Sequence, residues 1–365
     1  MEGTLISPPP PQPFHKHADL WFCDGSVILQ AECTLFRVHK SQLSRRSVVF
    51  SDMFTLPQPA VTTTAHVTFL DDVYEGCPIV KLHDSAEDVT NLLLALYDGP
   101  KFNDNDPNDF AIVSGILRLS TKYAMDSLRS KAIAHLNIAW PTSLKGWDLR
   151  EDMAHAYDLT SPTEHASLYP SPIDVINLSR ETNVPSLLPA AFYDLSRYTF
   201  AQIFEPMDEE LSRFRGAAAA GGTLSADDMR RLALGKEASA HAVSAVIHGM
   251  GRGPLAHSRK GAFSLSPHVP AMAYPAAAAA AVSVCSTPGA CRRDFAELVE
   301  LATQHYVCDR ERGYGDPLYV AEELGALKSA DVSECRACAR ALEIWAAKER
   351  ERMWKMIPLW FRMDS

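Results

Sequence analysis

The stretch Thr34-Leu35-Phe36-Arg37-Val38-His39-Lys40-Ser41-Gln42-Leu43 carries a change of period on which the fold turns. Thr34–Val38 is short, apolar and aromatic, the composition of a strand. After His39-Lys40 the spacing becomes helical, with Ser41 as the expected N-cap of a short helix. Upstream, Val27–Ala31 reads as a second strand and Leu20–Cys23 as a third. Between those two lies Asp24-Gly25-Ser26, a turn in which glycine can take positive φ. Three short runs with tight breaks predict a meander. Downstream, Ser47–Phe54 sets Val48, Val49, Met53 and Phe54 on one side of another short helix.

A Pro- and Thr-rich stretch, Pro57–Thr64, interrupts, and Pro78–Leu82 reads as a fourth strand. Ser85-Ala86-Glu87-Asp88 has the form of a capping box and opens a helix carrying Val89, Leu92, Leu93 and Leu96. Gly99-Pro100 ends it. From Phe110 to Leu136 apolar residues recur at three- and four-residue steps, with a break expected at Asp126. Residues 141–205 read as helices broken by prolines.

Composition shifts sharply over residues 216–290. That span holds two aromatics, Phe263 and Tyr274, against 32 in the chain. Ala217–Ala220 and Ala276–Ala281 are low in complexity, so the expectation is a disordered Ala/Gly-rich linker over 206–290 with a marginal helix near Ala226–Leu234. Helices are expected again at Asp294–Tyr306 and Ser333–Met356, within a C-terminal helical segment over 291–362.

At ~100–200 residues per domain, 365 residues allow two or three domains. A net charge of −10 argues against a dedicated nucleic-acid or anionic-membrane binder. Eight cysteines are too few for a disulfide scaffold, and Cys23, Cys33 and Cys77 read as reduced core thiols. Residues 1–16 form a Pro-rich lead-in without the features of a signal peptide, and order is expected from near Asp19. No apolar run approaches the ~18 residues of a membrane span. A reducing compartment, cytoplasmic or nuclear, is the expectation.

The series Asp19-Leu20, Asp24-Gly25-Ser26, Phe36–Leu43, Ser47–Phe54, Leu93–Gly99 and Leu117–Leu136 resembles the BTB/POZ domain over about residues 17–140. Trp140–Asp148 and Leu187–Tyr193 further resemble the expanded BTB families of fungi, within a helical extension over 141–205. The resemblance implies an α+β fold, a small sheet flanked by helices, followed by a mostly helical C-terminal extension. It implies a protein–protein interaction module that forms homodimers or docks a partner. Asp19 and Lys40 match a buried acid–base pair of some dimeric members, and the apolar surface near Leu20 and Phe50 is the expected partner-binding face. Some members are substrate adaptors of cullin-type ubiquitin ligases. Here Gln58 stands where their motif carries an acid, which counts against cullin binding.

Motifs for chemistry are sparse. There is no P-loop, G-x-G-x-x-G, H-E-x-x-H or G-x-S-x-G, so the chain is not expected to be an enzyme or to need a catalytic cofactor. His39 reads as packing or turn-stabilising, and Asp71-Asp72 and Asp227-Asp228 as solvated acids. One metal pattern stands out. Cys335-x-x-Cys338 has zinc-ligand spacing, and Cys285 and Cys291 can complete the set, with Cys308 a spare. The competing expectation is that Cys335 and Cys338 lie at i and i+3 of one helix as buried thiols. A zinc-binding, transcription-associated regulator is therefore an alternative function. Arg350, Arg352 and Lys355 beside Trp354 and Trp360 could suggest nucleic acid, but Glu349 and Glu351 interleave and favour a solvated helix face.

Overall fold

The computed structural model describes residues 13–56, 73–160, 168–204, 223–250, 285, 287–308, 315–327 and 335–363. Pro57–Thr64, Gln58, Asp71-Asp72, Phe263, Tyr274 and the two alanine runs lie outside these residues. The chain forms two compact units. The first holds residues through Ala139 together with Ser167–Pro170 and Leu178–Val184; the second holds the remainder.

The first unit is mixed α+β. Its strands are β1 (His15–Trp21), β2 (Val27–Ala31), β3 (Thr34–Val38), β4 (Val73–Tyr74) and β5 (Cys77–Leu82). They form one sheet in the order β1-β3-β2-β5-β4. β2 and β3 are an antiparallel hairpin in the register Val27↔Val38 to Ala31↔Thr34. β5 lies parallel to β2, and β4 pairs antiparallel with β5. Both central strands are buried at nearly every position instead of alternating, as strands covered on two faces are.

The expected meander is not found. β1 begins at His15, ahead of the expected onset of order, and runs parallel to β3. A polar strand start hid it: His15 Nε2 lies 3.0 Å from Thr34 Oγ1, and Lys16 pairs with Glu75 at 2.5 Å. Gly25 serves close approach and not positive φ. A Cβ there would lie 2.7 Å from Arg37 Cγ and 3.0 Å from the Arg37 backbone. The unexpected β4 is joined to β5 by Glu75-Gly76, both at positive φ, the two-residue turn that suits a hairpin.

Helices α1 (Lys40–Arg46), α2 (Val48–Thr55), α3 (Ala86–Tyr97), α4 (Pro107–Lys122) and α5 (Asp126–Ala139) complete this unit. The expected caps divide. Ser85 accepts from the Asp88 N–H and opens α3. Ser41 is not the N-cap, because α1 starts two residues earlier than expected, with His39 at its N-cap. Ser47 caps α2 by accepting from the Phe50 N–H.

The second unit is helical. Its elements are α6 (Leu144–Thr160), the first part of α7 (Pro172–Glu181), α8 (Leu188–Ser196), α9 (Phe200–Phe204), α10 (Ala226–Met250), α11 (Pro288–Thr303), α12 (Pro317–Ala326) and α13 (Arg336–Trp360). Within the span expected as a linker with a marginal helix, residues 226–250 instead form a long helix; 206–222 and 251–284 lie outside the described residues. α10 has 25 residues and buries Leu232, Val243, Val246, Ile247 and Met250. Its small residues are packing devices. Gly235 faces the ring of Phe361, and Gly249 faces Trp345 at 3.1 Å from a built Cβ. The aromatic mass that α10 lacks is supplied by α13 and the residue after it.

Candidate functional site

The residues expected at a partner face divide between core and surface. Leu20 and Phe50 are each 1% exposed and belong to the core of the first unit. They cannot themselves be surface contacts. Phe50 stacks on Tyr123 at 4.6 Å and seats α2. Asp19 is exposed, and among the described ion pairs none joins it to Lys40. The Lys40 ammonium lies instead 5.6 Å from the Phe54 ring centroid, and its backbone N–H donates to Ser26 Oγ at 3.0 Å. The apolar side chains that do face solvent on this helix are Val48, 65% exposed, and Val49, 37% exposed. Leu56 at its end is exposed as well.

His39 has the structural role expected of it. Its Nδ1 is 2.9 Å from the Tyr97 hydroxyl, its N–H donates to that hydroxyl, and its Nε2 is 3.1 Å from Asp24. Phe22 packs on both rings. Phe22 lies in the Leu20–Cys23 run and Tyr97 in the Leu93–Gly99 block, but no sequence pattern links either to His39, since Tyr97 is distant along the chain.

The C-terminal basic run is engaged within the second unit. Arg350 pairs with Asp148 at 2.5 Å and Glu322 at 3.0 Å, and Arg352 with Glu349 at 2.7 Å. The Trp354 indole N–H donates to the Thr142 carbonyl. Asp228, expected as a solvated acid, is buried and accepts from Ser225 Oγ at 3.0 Å, at the start of α10.

A buried charge network escaped the sequence. Asp194 is held between Arg150, at 2.7 Å, and Arg197. Arg197 also reaches Glu151 at 2.6 Å and Asp316 at 3.3 Å. The Arg150 guanidinium stands over Trp140 and Trp147, at 4.8 and 4.7 Å. Tyr193 donates from its hydroxyl to Asp316 at 2.5 Å and accepts from the Leu318 N–H at 3.1 Å. The Trp140–Asp148 and Leu187–Tyr193 blocks thus supply the inner packing of the second unit. Arg150 and Arg197 are each matched by carboxylates, so the network has the form of a structural lock and presents no separated acid and base.

The four cysteines singled out for metal do converge. The thiol sulfurs of Cys285, Cys291, Cys335 and Cys338 all lie within 4.8 Å of one another. Cys285 and Cys291 are 3.6 Å apart. None of the eight cysteines is in a disulfide. The competing expectation of buried thiols on one helix holds for the burial of both, but Cys335 is the extended N-cap of α13, at φ −87° and ψ 96°, while Cys338 is in the first turn. Cys291 likewise lies in the first turn of α11, whose N-cap is Thr287. Cys291, Cys335 and Cys338 are buried. Burial pushes the Cys285 and Cys338 thiols up, and neighbouring thiols push Cys338 further the same way. Cys308 lies apart from the cluster and is exposed. Cys23 is exposed too, contrary to its expected place in the core.

No helix among the described residues is long and apolar enough to cross a membrane. The chain matches no protein-family model and none of the curated proteins.

Proposed function

We propose that the chain is a non-catalytic protein–protein interaction protein whose first unit is a BTB/POZ-like docking domain, and that its first partner is a second copy of itself. The observation that carries this is the outward face of α2. Val48 and Val49 stand exposed on a short helix whose other face is anchored by Phe50. Adjacent exposed β-branched residues on a well-seated helix have the character of an interface. The element order supports it: a hairpin, a helical pair, a strand parallel to the first strand of the hairpin, then three helices. Lys40 lies beside this helix, its ammonium 5.6 Å from the Phe54 ring centroid. A two-fold contact presents the same patch on both copies, so one substitution acts twice.

Sedimentation velocity on the full chain over a micromolar range tests this. The expected result is a dimer that Val48→Glu with Val49→Glu converts to a monomer without change in helical circular dichroism. A monomer at every concentration overturns it. Adaptor activity for a cullin-type ligase is a separate reading of the same domain, checked by pull-down with a purified cullin.

A further inference from the structure

We propose that Cys285, Cys291, Cys335 and Cys338 form a structural zinc site, a closed tetrathiolate that ties the start of α11 to the start of α13. This stands apart from the docking function and does not depend on it.

The spacing of the sulfurs is the first argument. A tetrahedral ion with Zn–S bonds of about 2.3 Å has sulfur–sulfur edges of about 3.8 Å. The Cys285–Cys291 separation is 3.6 Å, and every other pair falls within 4.8 Å. A disulfide needs sulfurs at about 2.05 Å, so the arrangement is that of ligands around a centre and not of a bonded pair.

The donor set is the second. Four thiolates are soft ligands and suit a tetrahedral ion. They fill all four positions, which leaves no place for water or substrate and makes the site structural, not catalytic. Zinc exchanges no electrons on binding. Each thiol that coordinates releases its proton to solvent, and the S–H bond is replaced by an S–Zn bond.

Placement is the third. Cys291 and Cys338 lie near the N-terminal ends of two helices, where the helix dipole favours negative charge on a thiolate. Arg292, Arg293 and Arg336 follow directly on Cys291 and Cys335, are exposed, and offset the double negative charge of a zinc tetrathiolate. Thr287 Oγ1 lies 3.6 Å from Cys291 Sγ, placed to donate to that sulfur once it is a thiolate. Without metal, four thiols crowd a largely buried space with only weak S–H donors between them. A metal ion supplies the missing cohesion.

The test uses the full chain purified with reductant and without chelator. Elemental analysis is expected to find about one zinc per chain. After chelation, one equivalent of cobalt(II) is expected to give the intense visible absorption of tetrahedral thiolate coordination, displaced by zinc. Cys338→Ser is expected to lower bound zinc to a small fraction and to weaken the sulfur-to-cobalt charge-transfer band. Cys308→Ser, outside the cluster, is expected to leave both unchanged. The cobalt spectrum of the unsubstituted chain decides the matter even if Cys338→Ser does not fold. A spectrum of octahedral cobalt, iron in place of zinc, or intact 285–291 and 335–338 disulfides in chain purified without oxygen would each overturn the proposal.

Discussion

Gly235 and Phe361 are in contact so close that a Cβ built on the glycine would overlap the phenylalanine ring. Phe361 is fully buried, and its ring also packs on Phe192 at 5.4 Å. The ring therefore has no free direction in which to retreat.

Gly235→Ala is accordingly expected to destabilise the second unit, although alanine is the better helix former by ~1 kcal/mol in an exposed helix. Overpacking a filled site costs about 1–3 kcal/mol, which reverses the sign. Gly289, in the first turn of α11, has nothing within 4 Å of a built Cβ. Gly289→Ala is expected to be neutral or slightly stabilising. Urea titration of both variants, followed by circular dichroism, compares them directly.

The Asp194 network sets an acid limit. Burial alone would raise the Asp194 carboxyl, but the charges of Arg150 and Arg197 outweigh it and hold the group below its ordinary value. A depressed native pKa means that the unfolded chain takes up the proton first. The stabilisation is thus complete above the unfolded value of about 4 and is lost as pH falls through the lower native value. Thermal melts at decreasing pH should show the second unit weakening in that window. Asp194→Asn should flatten the dependence and cost roughly 3 kcal/mol near neutrality, because two buried guanidinium groups lose a shared partner.

Ser47 makes two bonds at once. Its Oγ accepts from the Phe50 N–H at 3.0 Å and donates to the Tyr123 carbonyl at 2.5 Å. It joins the start of α2 to the end of α4. Ser47→Ala is expected to destabilise the first unit by about 1–2 kcal/mol, at the upper end for a lost N-cap, since a buried carbonyl is also orphaned. Chemical denaturation monitored by the first unit's Trp21 fluorescence measures it.

Metal removal should act on the second unit. If zinc joins α11 to α13, its binding energy is folding energy. Treatment with a thiol-reactive mercurial and a chelator is expected to lower the midpoint of thermal unfolding by several degrees, as about 1 kcal/mol shifts it by ~2–4 °C in a unit of this size. Added zinc after removal of the mercurial is expected to restore it.

Local signals were legible where neighbours in sequence are neighbours in space. Val27–Ala31 and Thr34–Val38 read correctly to the residue, because a hairpin is made of adjacent chain. The Ser85 cap was visible for the same reason. The start and pairing of β1 are not legible in the sequence because its partner strand is non-adjacent, and its polar first residues bond to Thr34 and Glu75 instead of a core. α10 is not legible in the sequence because its low aromatic content argues for too little burial. Gly235 and Gly249 there make room for Phe361 and Trp345, rings from far along the chain.

From the amino-acid order alone came the strand-to-helix change at His39, the α+β character of the opening third and the four cysteines worth watching. Their convergence was decided only by the fold. Cys285 precedes and Cys291 follows one helix start, Cys335 and Cys338 lie at another, and only tertiary packing brings the two within reach of one ion. Spacing constrains ligands that share a turn, whereas the meeting of two turns depends on every side chain packed between them.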